Sequence, residues 1–413
     1  MALIENFEVS ALTEKSRFVA PFRIHYRKNG VNRTWDGVKA HDGVSILIYN
    51  RDRKSFVFVK QFRPVVYYAN LRIREGENAA SVASAPHTPI GSDGKPIVLP
   101  SSLGETLELC AGIIDKADKS LEEIASIELY EECGYRVDPS RLRKITTVSA
   151  SVGLSGSVAT VFYTEVGNSD LDPSAGGGNP DEGEVIEVVY WPVTSTTFFL
   201  ISNPPPASPL NLSIFYAIVN GIGFELFIPS RYNGINRTVD GVKSHSDVSI
   251  LIYNQDRKSL VLVKQLRPVV YYVQLQNISN GDNPPEDFGY TLELCAGIVD
   301  KPDLSLEEIA AAEVHEECGY RVDPSRLNKF STVITNERLT AASGCIYYLE
   351  VGDNDLDSAA GGGNADDGEC IEVVYWPIDR IDELLTLTET KTHVSDITVL
   401  AVLWFQLHIL PSL

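Results

Sequence analysis

The sequence has few basic residues for its length. Its 413 residues include 35 Lys and Arg against 56 Asp and Glu, which gives a formal net charge of −21. This balance argues against nucleic acid and anionic membranes as partners, because both bind basic surfaces. The N-terminal residues also lack a basic segment followed by an apolar core, so no secretory signal is predicted. We therefore expect a cytoplasmic protein.

The sequence also lacks any Cys-x-x-Cys spacing among its six cysteines. Four of them recur as equivalents, Cys110 with Cys295 and Cys133 with Cys318, and we expect buried thiols in a reducing compartment. No long membrane-spanning run is apparent either. The apolar stretch 397–410 is shorter than a span and includes Gln406 and His408, so we predict a packed terminal helix.

What the sequence does contain is a long internal repeat. Residues 112–135 read GIIDKADKSLEEIASIELYEECGY, and residues 297–320 read GIVDKPDLSLEEIAAAEVHEECGY. Residues 30–71 and 234–275 correspond in the same way. A repeat of this length is typical of a duplicated domain and is far longer than a solenoid unit.

We predict one domain from 1 to 222, called copy 1, and a second from 223 to 413, called copy 2. Copy 1 has an insert at 75–103, rich in Ala, Ser, Pro and Gly, which predicts a long surface loop. Strands are predicted at 44–49, 56–60, 107–111, 161–166 and 184–190, and helices in the repeated segment, near 212–219 and at 394–407. Strands interleaved with few helices indicate an α+β fold.

Each repeated segment carries three glutamates at positions i, i+3 and i+4. They are Glu128, Glu131 and Glu132 in copy 1, and Glu313, Glu316 and Glu317 in copy 2. Like charges at this spacing repel by roughly 0.2–0.5 kcal/mol per pair on a helix, so a cation between them is expected. Mg²⁺, with Mn²⁺ as a second choice, binds such oxygen ligands, usually through one or two carboxylates and substrate phosphates.

The helix that carries these acids has clear ends in the sequence. Ser120 and Glu123 form a Ser-x-x-Glu capping box, and Gly134 is placed to end the helix. The glutamates continue the apolar face of Leu121 and Ile124 instead of lying opposite to it. The helix is therefore predicted to point its acids into a cleft.

A glycine, a loop, a capped helix and Glu-x-x-Glu-Glu-x-Gly resemble the Nudix box, a signature of hydrolases that act on nucleoside diphosphates linked to another group. The sequence departs from the family pattern by one residue inserted after Gly112. Lys119 and Leu304 replace the first Glu, and Ile127 and Ala312 replace the Arg. The three metal-type carboxylates are present in both copies.

The flanking segments resemble the uridine diphosphate glucose pyrophosphatase branch of this family. They are Leu-Glu-Leu-Cys-Ala-Gly before the box, the run Lys60 to Pro64 and the run Ser151 to Ser157. The resemblance implies an α/β/α sandwich with a mixed sheet in each of two tandem copies. It also implies Mg²⁺-dependent hydrolysis of UDP-glucose or a related nucleotide sugar to UMP and sugar 1-phosphate.

Two alternatives stay open from the sequence. One is an ADP-ribose pyrophosphatase, and the other is a catalytically weak protein that binds a nucleotide sugar. Because related enzymes form homodimers, the resemblance also implies an intrachain pseudo-dimer or a homodimer.

The resemblance assigns roles to named residues. It implies metal ligands at the Ala111 carbonyl, Glu128, Glu131, Glu132, Glu313, Glu316 and Glu317. Catalytic roles are expected for Glu131 and Glu132, with the base at Glu184 or, second, Glu182. Substrate-binding residues are expected to be Arg63, Gly153, Ser155, Gly156 and Arg267.

The Gly-rich segment 152–157 is replaced in copy 2 by Asn336-Glu337-Arg338-Leu339-Thr340-Ala341. In the family this segment shapes the substrate pocket. We therefore expect copy 1 to be the active domain and copy 2 to be weakened.

Overall fold

The structure is a computed structural model. It describes residues 4–5, 9–11, 15–16, 19–28, 31–75, 87–149, 152–179, 184–192, 225–232, 235–242, 245–276, 287–335, 342–364, 369–385, 387 and 392–413. The predicted copy boundary at 222/223 and an apolar helix predicted near 212–219 lie outside these residues.

Five α-helices lie in the described part of the chain. They are α1 (Pro64–Glu75), α2 (Leu121–Cys133), α3 (Pro268–Gln276), α4 (Leu306–Cys318) and α5 (Asp396–His408). The strands of copy 1 are β1 (Ile4–Glu5), β2 (Ser10–Ala11), β3 (Ala20–Lys28), β4 (Val31–Lys39), β5 (Gly43–Asn50), β6 (Ser55–Phe62), β7 (Glu105–Glu108), β8 (Cys110–Ile113), β9 (Arg143–Ser149), β10 (Val158–Val166) and β11 (Ile186–Pro192). Those of copy 2 are β12 (Glu225–Tyr232), β13 (Ile235–Val242), β14 (Asp247–Asn254), β15 (Ser259–Leu266), β16 (Tyr290–Glu293), β17 (Cys295–Ile298), β18 (Asn328–Thr335), β19 (Ala342–Val351), β20 (Glu372–Pro377) and β21 (His393–Val394).

Each copy has a mixed sheet of the same design. In copy 1 the order is β11-β6-β5-β10-β9, with β7 paired to β6 and β8 paired to β5. In copy 2 the order is β18-β19-β14-β15-β16-β21, with β17 paired to β14 and β20 to β15. The pairs β5–β10 and β14–β19 are parallel, whereas their other neighbours run antiparallel. The predicted α+β class with a mixed sheet is therefore what the structure shows.

The sheet of copy 2 is covered by helices on both faces. Alternate residues of a strand point to opposite faces, and β14 divides its side chains accordingly. Ile250 and Ile252 belong to the apolar cluster beneath α4. Leu251 and Tyr253 belong to a second cluster that contains the buried residues of α5. These layers form an α/β/α sandwich, and the packed C-terminal helix predicted from residues 397–410 is confirmed as α5.

The two copies exchange backbone segments. Strands β1 and β2, from the start of the chain, pair with β12 of copy 2. The hairpin β3–β4 of copy 1 contacts α3 of copy 2, and the hairpin β12–β13 of copy 2 contacts α1 of copy 1. Each hairpin therefore packs on the other copy's helix, an arrangement that strand-by-strand reading of the sequence does not predict.

Several predicted elements need correction. The predicted strand 107–111 is interrupted at Leu109, so that β7 pairs with β6 and β8 with β5. The insert 75–103 is not entirely loop, because α1 extends to Glu75 and a 3₁₀ turn begins at Ser101. Helices α1 and α3 were not predicted, although a proline at the first helical position is a known start signal. Within the described residues, no helix is long and apolar enough to cross a membrane.

Removing the Phe405 ring tests the second layer of copy 2. Phe405 is fully buried in α5, with its centroid 5.3 Å from the Tyr253 ring and 6.2 Å from the Tyr348 ring. We expect Phe405→Ala to destabilise the protein by about 3–5 kcal/mol, because it leaves a cavity. Urea unfolding followed by fluorescence measures this loss. The exposed Leu407→Ala on the same helix is the control, and equal effects of the two changes would contradict the observed packing.

Candidate active site

Helices α2 and α4 begin and end where the sequence predicts. Ser120 accepts a hydrogen bond from the Glu123 amide while the Glu123 carboxylate accepts one from the Ser120 amide, which is a complete capping box. Ser305 repeats this arrangement in copy 2. Gly134 and Gly319 end the helices with φ of 76° and 77°, a left-handed conformation that favours glycine.

One acid of each helix, Glu132 or Glu317, is buried against the strand that precedes the helix, whereas Glu131 is exposed. That the acids line a cleft stays a prediction. Glu132 is 2% exposed, and its carboxylate accepts a hydrogen bond from the Ala111 amide at 3.0 Å. In copy 2, Glu317 accepts from the Ala296 amide, also at 3.0 Å. The sequence therefore brings the predicted backbone position Ala111 into direct contact with one predicted carboxylate.

The glycine at the start of each repeated segment leaves room for another acid. A Cβ on Gly112 would lie 2.1 Å from the carboxyl group of Glu128. A Cβ on Gly297 would lie 2.2 Å from the carboxyl carbon of Glu313. A larger residue here would displace these half-buried carboxylates, so the glycines leave room for the acids beside the strand.

The glycine-rich acidic loop docks on the same helix. Gly176, Gly177 and Gly178 have φ of 87°, 94° and 84°, values that residues with a side chain rarely adopt. This conformation lets the amides of Gly177 and Gly178 donate to the carbonyls of Glu132 and Glu131, each at 3.0 Å. The loop is thereby held at the end of the helix that carries the acids.

Of the two residues predicted to be the catalytic base, the structure describes Glu184. Glu184 lies just beyond the docked glycines, and its carboxylate accepts a hydrogen bond from the Asn179 amide at 3.3 Å. Glu369 occupies the equivalent place in copy 2 and accepts from the Asn364 amide at 3.2 Å. Glu182 lies outside the described residues, so its role stays a prediction.

The carboxylates of copy 2 are close enough to disturb one another. Burial, followed by repulsion from Glu316 and Glu369, raises the pKa of Glu313 to about 7. Burial raises the pKa of Glu317 to about 8, with further repulsion from Glu313 and Glu369 and opposition from the Ala296 amide. The structure thus gathers predicted metal ligands and the predicted base in one place, where a cation would relieve the repulsion.

Glu108 and Glu293 hold the two arginines that are predicted to bind phosphate. Neither glutamate was predicted to be a site residue. The guanidinium of the buried Arg63 donates to both carboxylate oxygens of Glu108, and Arg267 donates in the same way to Glu293. Glu108 is completely buried. The available signal was a charged residue within an otherwise apolar strand, Leu-Glu-Leu, because such a residue is rarely buried unless it is paired.

Arg267 also faces the acid cluster. Burial lowers its pKa, but the carboxylates of Glu293, then Glu317 and Glu369, outweigh burial and raise it. The guanidinium therefore lies within electrostatic reach of both a predicted metal ligand and the predicted base.

The acids fit a magnesium ion that the substrate helps to bind. In the part of the chain that the structure describes, no three His, Cys, Asp or Glu side chains form a ready-made metal cage. Mg²⁺ does not require one, since it usually keeps waters and binds through one or two carboxylates and substrate phosphates. The half-buried Glu128 and Glu313, beside the glycines that make room for them, suit this mode of binding.

The predicted substrate-binding loop of copy 1 lies at the border with copy 2. The indole nitrogen of Trp35 donates to the Gly153 carbonyl at 2.8 Å, and the Ser155 and Ser157 hydroxyls are 2.9 Å apart. Gly156 packs against the backbone of the first turn of α3. This loop therefore adjoins Arg267 of the other copy.

The chain matches characterised enzymes over about half of its length, although no family model matches it. It is 43% identical to the uridine diphosphate glucose pyrophosphatase NUDT14 of Bos taurus over 204 residues. This alignment covers 49% of this chain and 87% of the bovine protein. The chain belongs to the Nudix hydrolase family. The family predicted from the repeated segment and its flanks is thus confirmed.

Other Nudix relatives are similar to parts of the chain. The Mus musculus uridine diphosphate glucose pyrophosphatase NUDT14 is 40% identical over 207 residues, covering 50% of this chain and 89% of that protein. A GDP-mannose pyrophosphatase of Pectobacterium atrosepticum is 29% identical over 166 residues, covering 40% and 68%. A solved ADP compounds hydrolase matches 49% of this chain and 84% of its own, with 18% identity and a TM-score of 0.29, too low to carry weight.

The departures from the Nudix box leave its helix intact. Lys119 and Leu304, which replace the first Glu, lie exposed in the loop before the helix. The capping boxes and left-handed glycines fix both ends of the helix without the missing Glu and Arg.

The raised pKa values of Glu313 and Glu317 predict a pH-dependent stability. Between about pH 4.5 and pH 8 the folded protein keeps protons on these carboxyls that the unfolded chain has released, so stability falls as pH rises. We expect the unfolding temperature of the Mg²⁺-free Nudix protein to fall from pH 5.5 to pH 8.5 and to recover at high pH when Mg²⁺ is added.

Glu317→Gln tests this cause directly, because glutamine does not ionise. The variant should lose part of the pH-dependent fall when thermal unfolding is recorded in EDTA across the same range. The exposed Asp379→Asn in copy 2 is the matched control and should follow the wild-type profile. A Glu317→Gln profile parallel to the wild type would disprove the assignment.

Proposed function

We propose that this protein hydrolyses the pyrophosphate bond of UDP-glucose or a closely related nucleotide sugar, giving UMP and sugar 1-phosphate in a Mg²⁺-dependent reaction. The observation that carries the proposal is that each repeated helix sets a buried carboxylate, Glu132 or Glu317, against the preceding strand and holds the glycine-rich loop at its C-terminal end. The choice of nucleotide sugar is supported by the relatives at 40–43% identity that are named for UDP-glucose.

The metal ligands would be the acids that face the strand before each helix. These are Glu128 and Glu132 with the Ala111 carbonyl in copy 1, and Glu313 and Glu317 in copy 2, while Glu131 and Glu316 lie alongside. Bound Mg²⁺ would neutralise phosphate charge and lower the pKa of a coordinated water. The Ala111 and Ala296 amides hold Glu132 and Glu317 in place for this task.

The remaining roles fall to an arginine and a carboxylate. Arg267 is held in place by its two bonds to Glu293, so that its positive charge is available to the diphosphate without rearrangement. Glu369, and Glu184 in copy 1, would accept the proton of the attacking water. The docked glycine loop supports this role because it fixes the acid near the metal ligands.

We also propose that the two copies pair within the chain and that the protein is cytoplasmic. The exchanged hairpins support the first statement, since each copy packs on a helix of the other. The six cysteines support the second, because all are free and five are buried. Burial raises the pKa of Cys110 and Cys295 well above the usual thiol range, which keeps them protonated and unreactive.

The substrate proposal predicts Mg²⁺-dependent turnover. With Mg²⁺ the full chain should convert UDP-glucose to UMP and glucose 1-phosphate, and EDTA should abolish the reaction. Changing Glu131, Glu132, Glu316 and Glu317 together to Gln should lower kcat/KM by at least about 100-fold, because each copy loses one proposed metal ligand and the acid beside it. Product chromatography measures both results.

Parallel reactions with ADP-ribose and GDP-mannose decide between related activities. Faster turnover of ADP-ribose would favour the ADP-ribose pyrophosphatase alternative. Binding of UDP-glucose without turnover of any substrate would favour the weak binding protein, and the proposed function would then be wrong.

The proposed base predicts a second loss. Glu184→Gln combined with Glu369→Gln should lower kcat by about 10²–10⁴-fold, since glutamine cannot accept a proton. KM should change little, because both side chains keep their size and their bond to the loop amide. The Asp379→Asn variant is again the control. An unchanged kcat, measured in reactions quenched at fixed times, would exclude these acids as the base.

A further inference from the structure

The segment that carries the proposed base begins on an aspartate in each copy. We call it the base loop; its described residues are 172–179 and 184–186 in copy 1, and 357–364 and 369–371 in copy 2. The Asp172 amide donates to the Gly134 carbonyl at 2.9 Å, and the Asp357 amide donates to the Gly319 carbonyl at 2.8 Å. The base loop is therefore bonded, at its first residue, to the glycine that ends the acid-bearing helix.

The carboxylate of this aspartate connects the loop to the helix in copy 1. One oxygen of Asp172 accepts from the Ser174 amide at 3.0 Å and from the Ser174 hydroxyl at 2.6 Å. The other oxygen accepts from the Tyr130 hydroxyl at 3.0 Å and from the Arg136 guanidinium at 2.8 Å. Tyr130 lies in α2 directly before Glu131. One side chain thus ties the start of the base loop to the helix that carries the acids.

Copy 2 makes the same connection with a different helix residue. His315 occupies the place of Tyr130, and its Nε2 lies 3.1 Å from an oxygen of Asp357. The same oxygen accepts from the Arg321 guanidinium at 2.7 Å, and the other accepts from the Ala359 amide at 3.1 Å. A phenol in one copy and an imidazole in the other therefore meet the equivalent carboxylate, so the link to the aspartate is present although the helix residue differs.

The base loop carries this attachment onward to the proposed base. Beyond Asp172, the Gly177 amide donates to the Glu132 carbonyl of the helix at 3.0 Å. The Gly177 carbonyl in turn accepts from the Ile186 amide at 2.9 Å, and Glu184 lies two residues before Ile186. The bonds that hold the start and the middle of the base loop on α2 therefore also limit where Glu184 can lie.

The donors around each aspartate keep it ionised. The hydrogen bonds from Ser174, followed by that from Arg136, hold the pKa of the Asp172 carboxyl well below its usual range. In copy 2, Arg321, followed by the histidine, lowers the pKa of Asp357 in the same way. Hydrogen bonds to an ionised acceptor are stronger than neutral ones. An uncharged side chain at these positions should therefore loosen the start of the base loop.

We infer that Asp172 and Asp357 are positioning residues for the hydrolysis: each sets where the base loop places its glutamate relative to the metal ligands on the helix. This inference rests on the proposed function and extends it to two residues without a role in the proposed chemistry. Neither aspartate acts on the substrate directly. Each acts through the proposed base of its own copy, Glu184 or Glu369.

The double variant Asp172→Asn/Asp357→Asn of the full chain tests the inference. Asparagine keeps one oxygen for the loop donors but turns an amide group, itself a donor, toward the donors of the helix side. Because both copies are changed, the result does not depend on which copy is active. We expect kcat for UDP-glucose to fall by about 10- to 100-fold, since a small displacement of a reacting group is costly. KM should change little, because the proposed metal ligands and arginines are intact.

Asp138→Asn/Asp323→Asn is the matched control. Asp138 and Asp323 each accept from the amide and the hydroxyl of the serine two residues on, at 2.9 Å and 2.6 Å, much as Asp172 does. Both lie in a 3₁₀ turn outside the base loop. The control should therefore keep the wild-type kcat.

A mutant cycle with the base separates positioning from a merely structural role. In the Glu184→Gln/Glu369→Gln background, the aspartate changes should have little further effect on kcat, because the group that they position can no longer accept a proton. An equal further loss in that background would overturn the inference and leave the proposed function intact. So would a wild-type kcat in Asp172→Asn/Asp357→Asn, or a wild-type kcat in the base variant itself.

Hydrogen exchange gives a readout that does not need turnover. Peptides containing Gly177 or Gly362, whose amides are bonded to helix carbonyls, should exchange about 10-fold faster in the aspartate variant, because the loop opens more easily without the ionic bonds. The control should exchange at the wild-type rate. A wild-type protein without turnover removes the proposed function, and exchange then decides alone: unchanged exchange in the aspartate variant would overturn the inference in that case.

Discussion

The structure depends on one interaction, a helix carboxylate that accepts a backbone N–H from the strand before it. Glu132 accepts from Ala111, and Glu317 accepts from Ala296. This bond ties the helix to the sheet, and the glycine that follows in the strand leaves room for the neighbouring acid. At the far end of the same helix, the free carbonyls receive the amides of the glycine-rich loop. One short helix therefore carries the proposed metal ligands and holds the loop that leads to the proposed base.

Much of this arrangement could be predicted because its causes are local in the sequence. The capping box at Ser120 and the glycine at 134 define the helix, and the 3.6-residue period places the acids on its inner face. The duplication strengthened the prediction, since the same pattern occurs twice. Strand β5 could also be predicted, because its run Val-Ser-Ile-Leu-Ile-Tyr is rich in β-branched and apolar residues and lies between polar turns.

The rest could not be predicted because its causes are distant. Arg63 and Glu108 are 45 residues apart, so their pairing follows from the register of β6 and β7 and from no local signal. Helix α1 follows a strand after a single residue, and its apolar start resembles a continued strand. The contact between Gly156 and Val269 joins different copies. The sequence shows that the copies differ, but only the fold shows which parts of each meet.

The exchange of segments between the copies has a consequence for the chain as a whole. Strands β1 and β2 are bonded to β12, and hairpins from each half rest on a helix of the other. The two halves of the chain are therefore joined by backbone pairing and by helix contacts. Either half produced alone would present an uncovered helix and an unpaired strand edge, and such surfaces promote self-association. Each half of the chain therefore covers surfaces of the other.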